Sequence, residues 1–321
     1  MKNNKIINAL KWLWLIAVVV FIGYYFYKHL PEEIEYFKAI AISRVLLAAL
    51  LIAIAKMFVV EMARFSITND KWRPSYLRMF TIVTVTQLGK YIPGSIWHFA
   101  ARISSYKENS LSNKKTAKAM LLENAWLVGS ALAFGLLLLT IERPEDLLTK
   151  YLGITLPAAL WAILPFVVIV LWLVGLVVLD KFLLDKKTFS LSRLVRLVLI
   201  QVAIWGALGS SFYLIFQGAM LQHFLLILGG YVVSWMVGYV FIFAPSGIGV
   251  REAVLVALFS TIVPTQQIAA YSIVHRLIYT VVEVLLGLIG FILQRRFFPA
   301  EPASSTDEKQ SGNLESPAKD L

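Results

Sequence analysis

Residues 87–103, QLGKYIPGSIWHFAARI, interrupt a chain that is otherwise strongly apolar. The segment holds a lysine, a Pro-Gly pair, a histidine and an arginine. Proline removes a backbone donor and glycine permits unusual backbone conformations, so a helix is predicted to break here. The segment is nevertheless more apolar than an ordinary surface loop. This combination is typical of a broken helix at membrane depth, where irregular backbone is tolerated only if protein or water satisfies it.

The composition of the whole chain indicates a membrane protein. Of 321 residues, 59% are hydrophobic and 15% are charged, whereas soluble domains have about 45–50% apolar and about 25% charged residues. The apolar residues come in blocks of roughly 20, the length that an α-helix needs to cross the hydrocarbon core. The chain has no cysteine, which excludes disulfides and thiolate metal sites. The predicted spans are 11–28, 40–61, 119–140, 154–179, 194–217 and 267–294.

The placement of lysine and arginine predicts the orientation of these spans. KHLPEE follows the first span in place of a small-residue cleavage site, so we expect that span to be retained. Basic loops lie on the cytoplasmic side, so we predict that both termini are cytoplasmic, in a bacterial or archaeal inner membrane. Topology and an anionic lipid surface account for most of the net charge of +11, and no nucleic-acid partner is expected. The basic segments assigned to the cytoplasm are 2–11, 64–78, 107–118, 181–196 and 295–296.

This topology places both ends of the irregular segment 76–106 on the cytoplasmic side. Its arms, 77–90 and 95–106, have about 12–14 residues each, enough for about half to two-thirds of the bilayer. We therefore predict a re-entrant helical hairpin that turns at Pro93 and Gly94.

A second broken segment, 222–263, contains the sequence APSGIGVRE and is predicted to enter from the outside. The two hairpins give an all-α polytopic membrane fold with about 7–8 transmembrane helices and an inverted repeat, a recurring transporter design. An alternative remains open, in which the arms 224–244 and 250–263 each cross fully. The predicted organisation is a membrane domain, 1–298, with halves 40–140 and 194–295, and a disordered cytoplasmic tail, 299–321.

Two motifs carry a resemblance to a known family. GKYIPGSIW (89–97) and APSGIGVREAVLVALF (244–259) resemble segments of the lysylphosphatidylglycerol synthase transmembrane region, or flippase-like domain family. The resemblance covers roughly residues 10–295 and implies lipid translocation. Fused members carry a soluble aminoacyl-transfer domain, for which the tail is too short, so we do not expect aminoacylation. Stand-alone relatives are associated with envelope lipids, which implies an envelope glycosyltransferase or lipid synthase as a candidate partner.

Charged residues inside the predicted spans indicate where a substrate would bind. A charge at membrane depth costs at least about 2.5–3.5 kcal/mol on insertion scales, so such residues usually face the protein interior or a wet cavity. Cations and helix N-termini near the two breaks suit an anionic headgroup. The residues predicted to bind it are Lys90, Tyr91, Pro93, Gly94, Ser95, Arg102, Pro245, Ser246, Gly247, Gly249, Arg251, Glu252 and Arg276.

Three further residues, Glu123, His275 and Glu283, are predicted to balance these charges or to relay protons. Structural roles remain an alternative for several of these side chains: Arg102 at the end of its arm, and Arg251 with Glu252 as a helix cap. Lys56, near the predicted end of its span, is expected to lie at the membrane interface.

Sequence motifs of catalysis are missing: there is no H-E-x-x-H, no G-x-S-x-G and no Walker A loop. The four histidines are dispersed, so neither a metal nor a cofactor is expected. We therefore predict a transporter or flippase for an anionic lipid, either a phospholipid or a polyprenyl-phosphate lipid. Two alternatives remain open: a membrane enzyme that modifies a lipid headgroup, and a non-transporting partner of an envelope glycosyltransferase.

Overall fold

The computed structural model describes residues 38–67, 72–91, 97–108, 111–142, 155–183, 190–216, 223–241, 249–260 and 262–298, together with Thr149, Gly153 and Gly247. Within these ranges all regular structure is helical, which confirms the predicted all-α membrane fold. The helices are α1 (Ile42–Ser66), α2 (Tyr76–Gln87), α3 (Trp97–Glu108), α4 (Asn113–Glu142), α5 (Ala158–Leu183), α6 (Leu191–Tyr213), α7 (Phe224–Val240), α8 (Val250–Phe259) and α9 (Thr265–Phe297).

Five of these helices, α1, α4, α5, α6 and α9, are long and apolar enough to cross a membrane. They correspond to the predicted spans from 40–61 onward, with ends that differ by several residues. The largest differences are at the C-terminal end of α1, which continues to Ser66, and at the start of α4, which begins at Asn113. The predicted span 11–28 and the tail 299–321 lie outside the described residues.

The two segments predicted to be irregular each contain two short helices. Ser75 caps α2 by accepting a hydrogen bond from the Arg78 N–H at 3.2 Å, and a 3₁₀ turn, Leu88–Tyr91, follows the helix. The 10 residues of α8 extend only about 15 Å, half of a hydrocarbon core. The tips 92–96 and 242–246 lie outside the described residues, so the re-entrant path stays a prediction.

Close helix contacts are made at glycines, as is common in membrane proteins. At the contact between α4 and α7, a methyl group on Gly135 would lie 2.6 Å from Cγ2 of Val233. At the contact between α9 and the 3₁₀ turn after α2, a methyl group on Gly287 would lie 2.6 Å from Cδ1 of Leu88. The first arm of each broken segment is therefore held closely by the long helix of the other half.

The helices α1–α4 of the first half correspond in order to α6–α9 of the second half, and the principal helix–helix contacts of one half recur in the other. In this correspondence α1 and α6 pack on each other, the α4–α7 contact becomes the α9–α2 contact, and the α2–α3 contact becomes the α7–α8 contact. The helix between the halves, α5, packs mainly against α4, and only 6% of the residues in its most apolar stretch are buried. The pattern is compatible with the halves 40–140 and 194–295, whose inverted relation stays a prediction.

Candidate functional site

A buried carboxylate, Glu283, stands at the centre of the first polar cluster. The residue is 4% exposed. Its Oε2 atom lies 2.5 Å from the Lys90 ammonium and accepts a hydrogen bond of 2.5 Å from the Tyr91 hydroxyl. Its Oε1 atom is paired with Lys56, whose ammonium also donates to the Tyr279 hydroxyl at 2.5 Å. We call these five residues the Glu283 cluster.

Three separate elements bring the Glu283 cluster together. Lys56 comes from α1, Lys90 and Tyr91 come from the 3₁₀ turn after α2, and Tyr279 and Glu283 lie one turn apart on α9. The ammonium groups of Lys56 and Lys90 lie 4.3 and 5.0 Å from the centre of the Tyr279 ring, within cation–π range. Carboxylate, hydroxyl and ring thus compensate two cations that would otherwise be costly to bury.

The second polar cluster surrounds Glu252, in the first turn of α8. Its Oε1 atom accepts from Arg276 at 3.1 Å and from Ser272 at 3.4 Å, and its Oε2 atom accepts from the Gly249 N–H at 2.8 Å. Gly249 has a φ of +82°, which favours glycine. The Arg276 and Glu252 side chains are 24% and 21% exposed, so this Glu252 cluster is more accessible than the first.

Arg251 lies beside both clusters. Its guanidinium is 5.4 Å from the centre of the Trp235 ring, and a methyl group on Gly238 would lie 2.5 Å from its Cγ atom. The Nε atom is buried and has no hydrogen-bond partner among the described residues. The charge of Arg251 is close enough to act on Lys90 and Arg276. Arg251 is therefore a positioned cation with a free donor.

One face of α9 connects the two clusters. Ser272, Arg276, Tyr279 and Glu283 follow one another at helical spacing and all contribute to a cluster. At 1.5 Å per residue this polar face is about 16 Å long, roughly half of a hydrocarbon core. The two clusters and Arg251 together hold more cations than carboxylates: Lys56, Lys90, Arg251 and Arg276 against Glu252 and Glu283.

Arg102 and Glu123 form a separate buried pair between α3 and α4. Nη1 of Arg102 lies 3.0 and 3.2 Å from the two carboxylate oxygens, and Nε donates to Thr86 at 2.8 Å. Arg102 is 4% exposed. The protein itself therefore engages this guanidinium, and a role in binding the headgroup stays a prediction.

His275 is buried in an aromatic environment on α9. Its Nε2 atom is 2.7 Å from the Ser211 hydroxyl, which itself donates to the carbonyl oxygen of Leu208 at 2.6 Å. The rings of Phe212 and Tyr231 lie 5.3 and 4.9 Å away. These contacts fix the imidazole in place, and the proton relay through His275 and Glu283 stays a prediction.

The remaining predicted site residues divide into two groups. The close backbone approach of Gly247 to α7 requires glycine: a methyl group there would lie 2.6 Å from the Gly238 carbonyl oxygen, and φ is +70°. The others, at the tips of the two hairpins, lie outside the described residues and their role stays a prediction: Pro93, Gly94, Ser95, Pro245 and Ser246.

Lys56 is one cluster residue that was not predicted from the sequence to belong to the site, and Ser272 is another. Lys56 was predicted to lie at the membrane interface near the end of its span, whereas its side chain is 11% exposed and paired with Glu283 inside the protein. The reason is that α1 continues to Ser66, which puts Lys56 about 15 Å from the helix end. A lysine that far inside an apolar helix is itself a signal of a functional or paired position.

A small cavity of about 20 Å³ adjoins the Lys56–Glu283 pair. It is roomy enough for about one water molecule. Gln87 and Thr84 of α2 line it together with apolar side chains from α1 and α9. In the described part of the chain, no group of three or more histidine, cysteine, aspartate or glutamate residues could hold a metal ion.

The model of the family described as "Lysylphosphatidylglycerol synthase TM region" matches residues 6–287. The matched range is most of the chain and includes both polar clusters, Arg251 and the Arg102–Glu123 pair. A search of curated proteins found no match.

Proposed function

The chain belongs to the lysylphosphatidylglycerol synthase TM region family, and from this premise we propose that it moves an anionic lipid across the membrane. Membership indicates a membrane protein related to lipid handling. The finer proposal is that the headgroup phosphate binds between the Glu283 and Glu252 clusters. The observation that carries it is Arg251, whose buried Nε donor has no partner among the described residues.

The residues around Arg251 suit a phosphate. A guanidinium offers donors in a planar fork that matches phosphate oxygens, and an ammonium adds a compact charge. Lys90 supplies the ammonium, and Tyr91 supplies a hydroxyl. The excess of cations over carboxylates in the two clusters favours an anion over a neutral headgroup.

The polar face of α9 gives the headgroup a route. A headgroup that left the Glu283 cluster would meet Tyr279, Arg276 and then Ser272 in helical order. The acyl chains would stay in the surrounding lipid, because the outer faces of α5 and α9 are apolar and exposed. We propose transport without chemical change, since both Glu252 and Glu283 are engaged by cations. A glycosyltransferase or lipid synthase of the cell envelope is the proposed supplier of the lipid.

Reconstitution of the full chain in lipid vesicles tests this proposal. Fluorescent phosphatidylglycerol, phosphatidylcholine and a polyprenyl phosphate are each placed in both leaflets, and a membrane-impermeant reagent reports the fraction that reaches the outer leaflet. We expect faster exchange of at least one anionic lipid than in protein-free vesicles. Mass spectrometry of the recovered lipid separates transport from headgroup modification, because a changed mass supports the enzyme alternative.

Arg251→Gln and Arg196→Gln make a matched pair for this assay. Both remove one arginine charge, but Arg196 is exposed on α6 whereas Arg251 lies at the site. Loss of exchange in the first variant alone supports the proposed site. Absence of exchange in the wild-type protein for all three lipids contradicts the proposed function.

A further inference from the structure

The two halves of the domain treat one equivalent position differently. Lys56 and Trp205 stand at the same distance from the starts of α1 and α6. Lys56 is paired with Glu283 on α9, whereas Trp205 donates a hydrogen bond of 2.8 Å to Ser130 on α4. Counted from the starts of α4 and α9, the positions of Ser130 and Glu283 differ by one residue. One half therefore has an ionic contact where the other has a neutral one.

The neutral contact is complete in itself. Trp205 and Ser130 are 0% and 1% exposed, and Trp205 also packs against the Trp235 ring at 4.8 Å. An indole N–H has one hydrogen to donate, and here it has an acceptor. This position offers an anion nothing to bind.

The ionic contact is different because its donors suit an anion other than a carboxylate. Glu283 receives two ammonium groups and a phenolic hydroxyl, and phosphate oxygens accept hydrogen bonds from the same groups. Each of the two carboxylate oxygens accepts from a different structural element. Oε1 is held by Lys56 of α1, whereas Oε2 is held by Lys90 and Tyr91 of the 3₁₀ turn.

We propose that Glu283 is an internal counter-anion, which occupies Lys90 and Tyr91 until a lipid phosphate takes its place. The inference rests on the proposed function and specifies its chemistry. When phosphate replaces Oε2 at these donors, Oε1 keeps its pair with Lys56, so the carboxylate is not left alone in the interior. Lys56 is a positioning residue, since it holds Glu283 on α1 and α9 while the donors of the 3₁₀ turn change partner.

This exchange limits the affinity for the lipid. A site with several desolvated cations and no internal anion would hold phosphate tightly, and a translocated lipid must also leave. Glu283 competes with the phosphate for the same donors, so it weakens binding and speeds release. Removal of its charge should therefore tighten binding and slow transport, whereas removal of a purely structural partner should not tighten binding.

The test compares Glu283→Gln with the wild-type full chain in detergent micelles. The probes are dihexanoyl phosphatidylglycerol and inorganic phosphate, with binding measured by calorimetry. We expect the variant to bind the short-chain lipid about tenfold more tightly, the order of one lost charge-assisted hydrogen bond. In vesicles the same variant should exchange fluorescent phosphatidylglycerol more slowly. Tighter binding of the lipid, with or without tighter binding of phosphate, supports the inference, and tightening for phosphate alone overturns it.

Three further variants separate this role from stability. The double variant Lys56→Met, Glu283→Gln removes both charges of one pair. It therefore frees Lys90 without adding a net buried charge. If the single variant does not fold, this double variant serves as the test in its place. Glu123→Gln makes the same substitution at the Arg102 pair, and Ser130→Ala alters the equivalent neutral contact. Neither control should tighten lipid binding.

The outcomes distinguish the two proposals. If the wild-type protein exchanges lipid but the folded Glu283 variants bind it as the wild type does, or more weakly, the counter-anion inference is overturned and the proposed function stands. If the wild-type protein neither binds nor exchanges any of the lipids, both are overturned.

Discussion

Arg102 and Glu123 satisfy each other inside the protein: one guanidinium nitrogen lies 3.0 and 3.2 Å from the two carboxylate oxygens, and the side chains are 5% and 11% exposed. The pair joins α3 to α4, and Thr86 ties the same guanidinium to α2. It therefore connects both arms of the first broken segment to the next long helix.

Arg102→Met should destabilise the protein by roughly 3–5 kcal/mol, because it leaves the Glu123 carboxylate buried without its partner. Arg102→Met combined with Glu123→Met should recover most of that loss, since both desolvated charges are gone. The free energy of unfolding in micelles, from denaturant titration, measures both changes. A double variant that is folded but exchanges no lipid would instead mean that the pair takes part in transport.

Gly135→Ala should destabilise the protein by about 1–3 kcal/mol, because the added methyl group would lie 2.6 Å from Val233 in the tight contact between α4 and α7. Gly129→Ala is the matched control in the same helix, since nothing lies within 4 Å of its added methyl group. The control should be neutral or stabilising by up to about 1 kcal/mol. Thermal unfolding in micelles compares the two, and equal effects would contradict a tight glycine contact.

Arg251→Lys should not restore the function that Arg251→Gln loses, because an ammonium cannot reproduce the planar fork of a guanidinium. The expected decrease in lipid exchange is about 10–100-fold for both variants, which corresponds to the loss of a charge-assisted hydrogen bond. Gly238→Ala should give a similar decrease, since its methyl group would displace the Arg251 side chain. Full activity of the lysine variant would show that only charge matters at this position.

Single cysteines test the predicted topology, because the natural chain has none. Ser112 and Thr155 are both exposed, before α4 and before α5 respectively. With both termini in the cytoplasm, Thr155→Cys should react with a membrane-impermeant maleimide in intact cells. Ser112→Cys should react only after permeabilisation. The reverse pattern would invert the orientation assigned from the charged loops.

The membrane helices could be predicted from the sequence because their signal is local. An apolar block of about 20 residues has few alternatives to a spanning helix, and the five spans from 40–61 onward appear as helices. Their ends differ from the predicted ends by several residues. In α1, apolar Met62 and Ala63 extend the helix past the predicted end, and it stops only where Ile67 adopts an extended backbone.

The site could be predicted only in part, because its contacts join distant parts of the chain. Lys90, Arg251 and Glu283 stood out individually as charges in apolar surroundings. Their partners did not, since Lys56 and Glu283 are 227 residues apart in sequence. The neutral contact of Trp205 with Ser130 has no sequence signal, because either residue is ordinary in a membrane helix.

The helix α5, which packs mainly against α4, has a consequence for how such a protein could arise by duplication. A half made of two full crossings and one hairpin that turns back crosses the membrane an even number of times. A tandem copy of it would enter from the same side as the original. In the predicted topology one additional spacer crossing changes the parity, and α5 would supply it. A spacer of this kind needs only to be apolar and long enough to cross the membrane. This fits α5, in which only 6% of the residues of the most apolar stretch are buried.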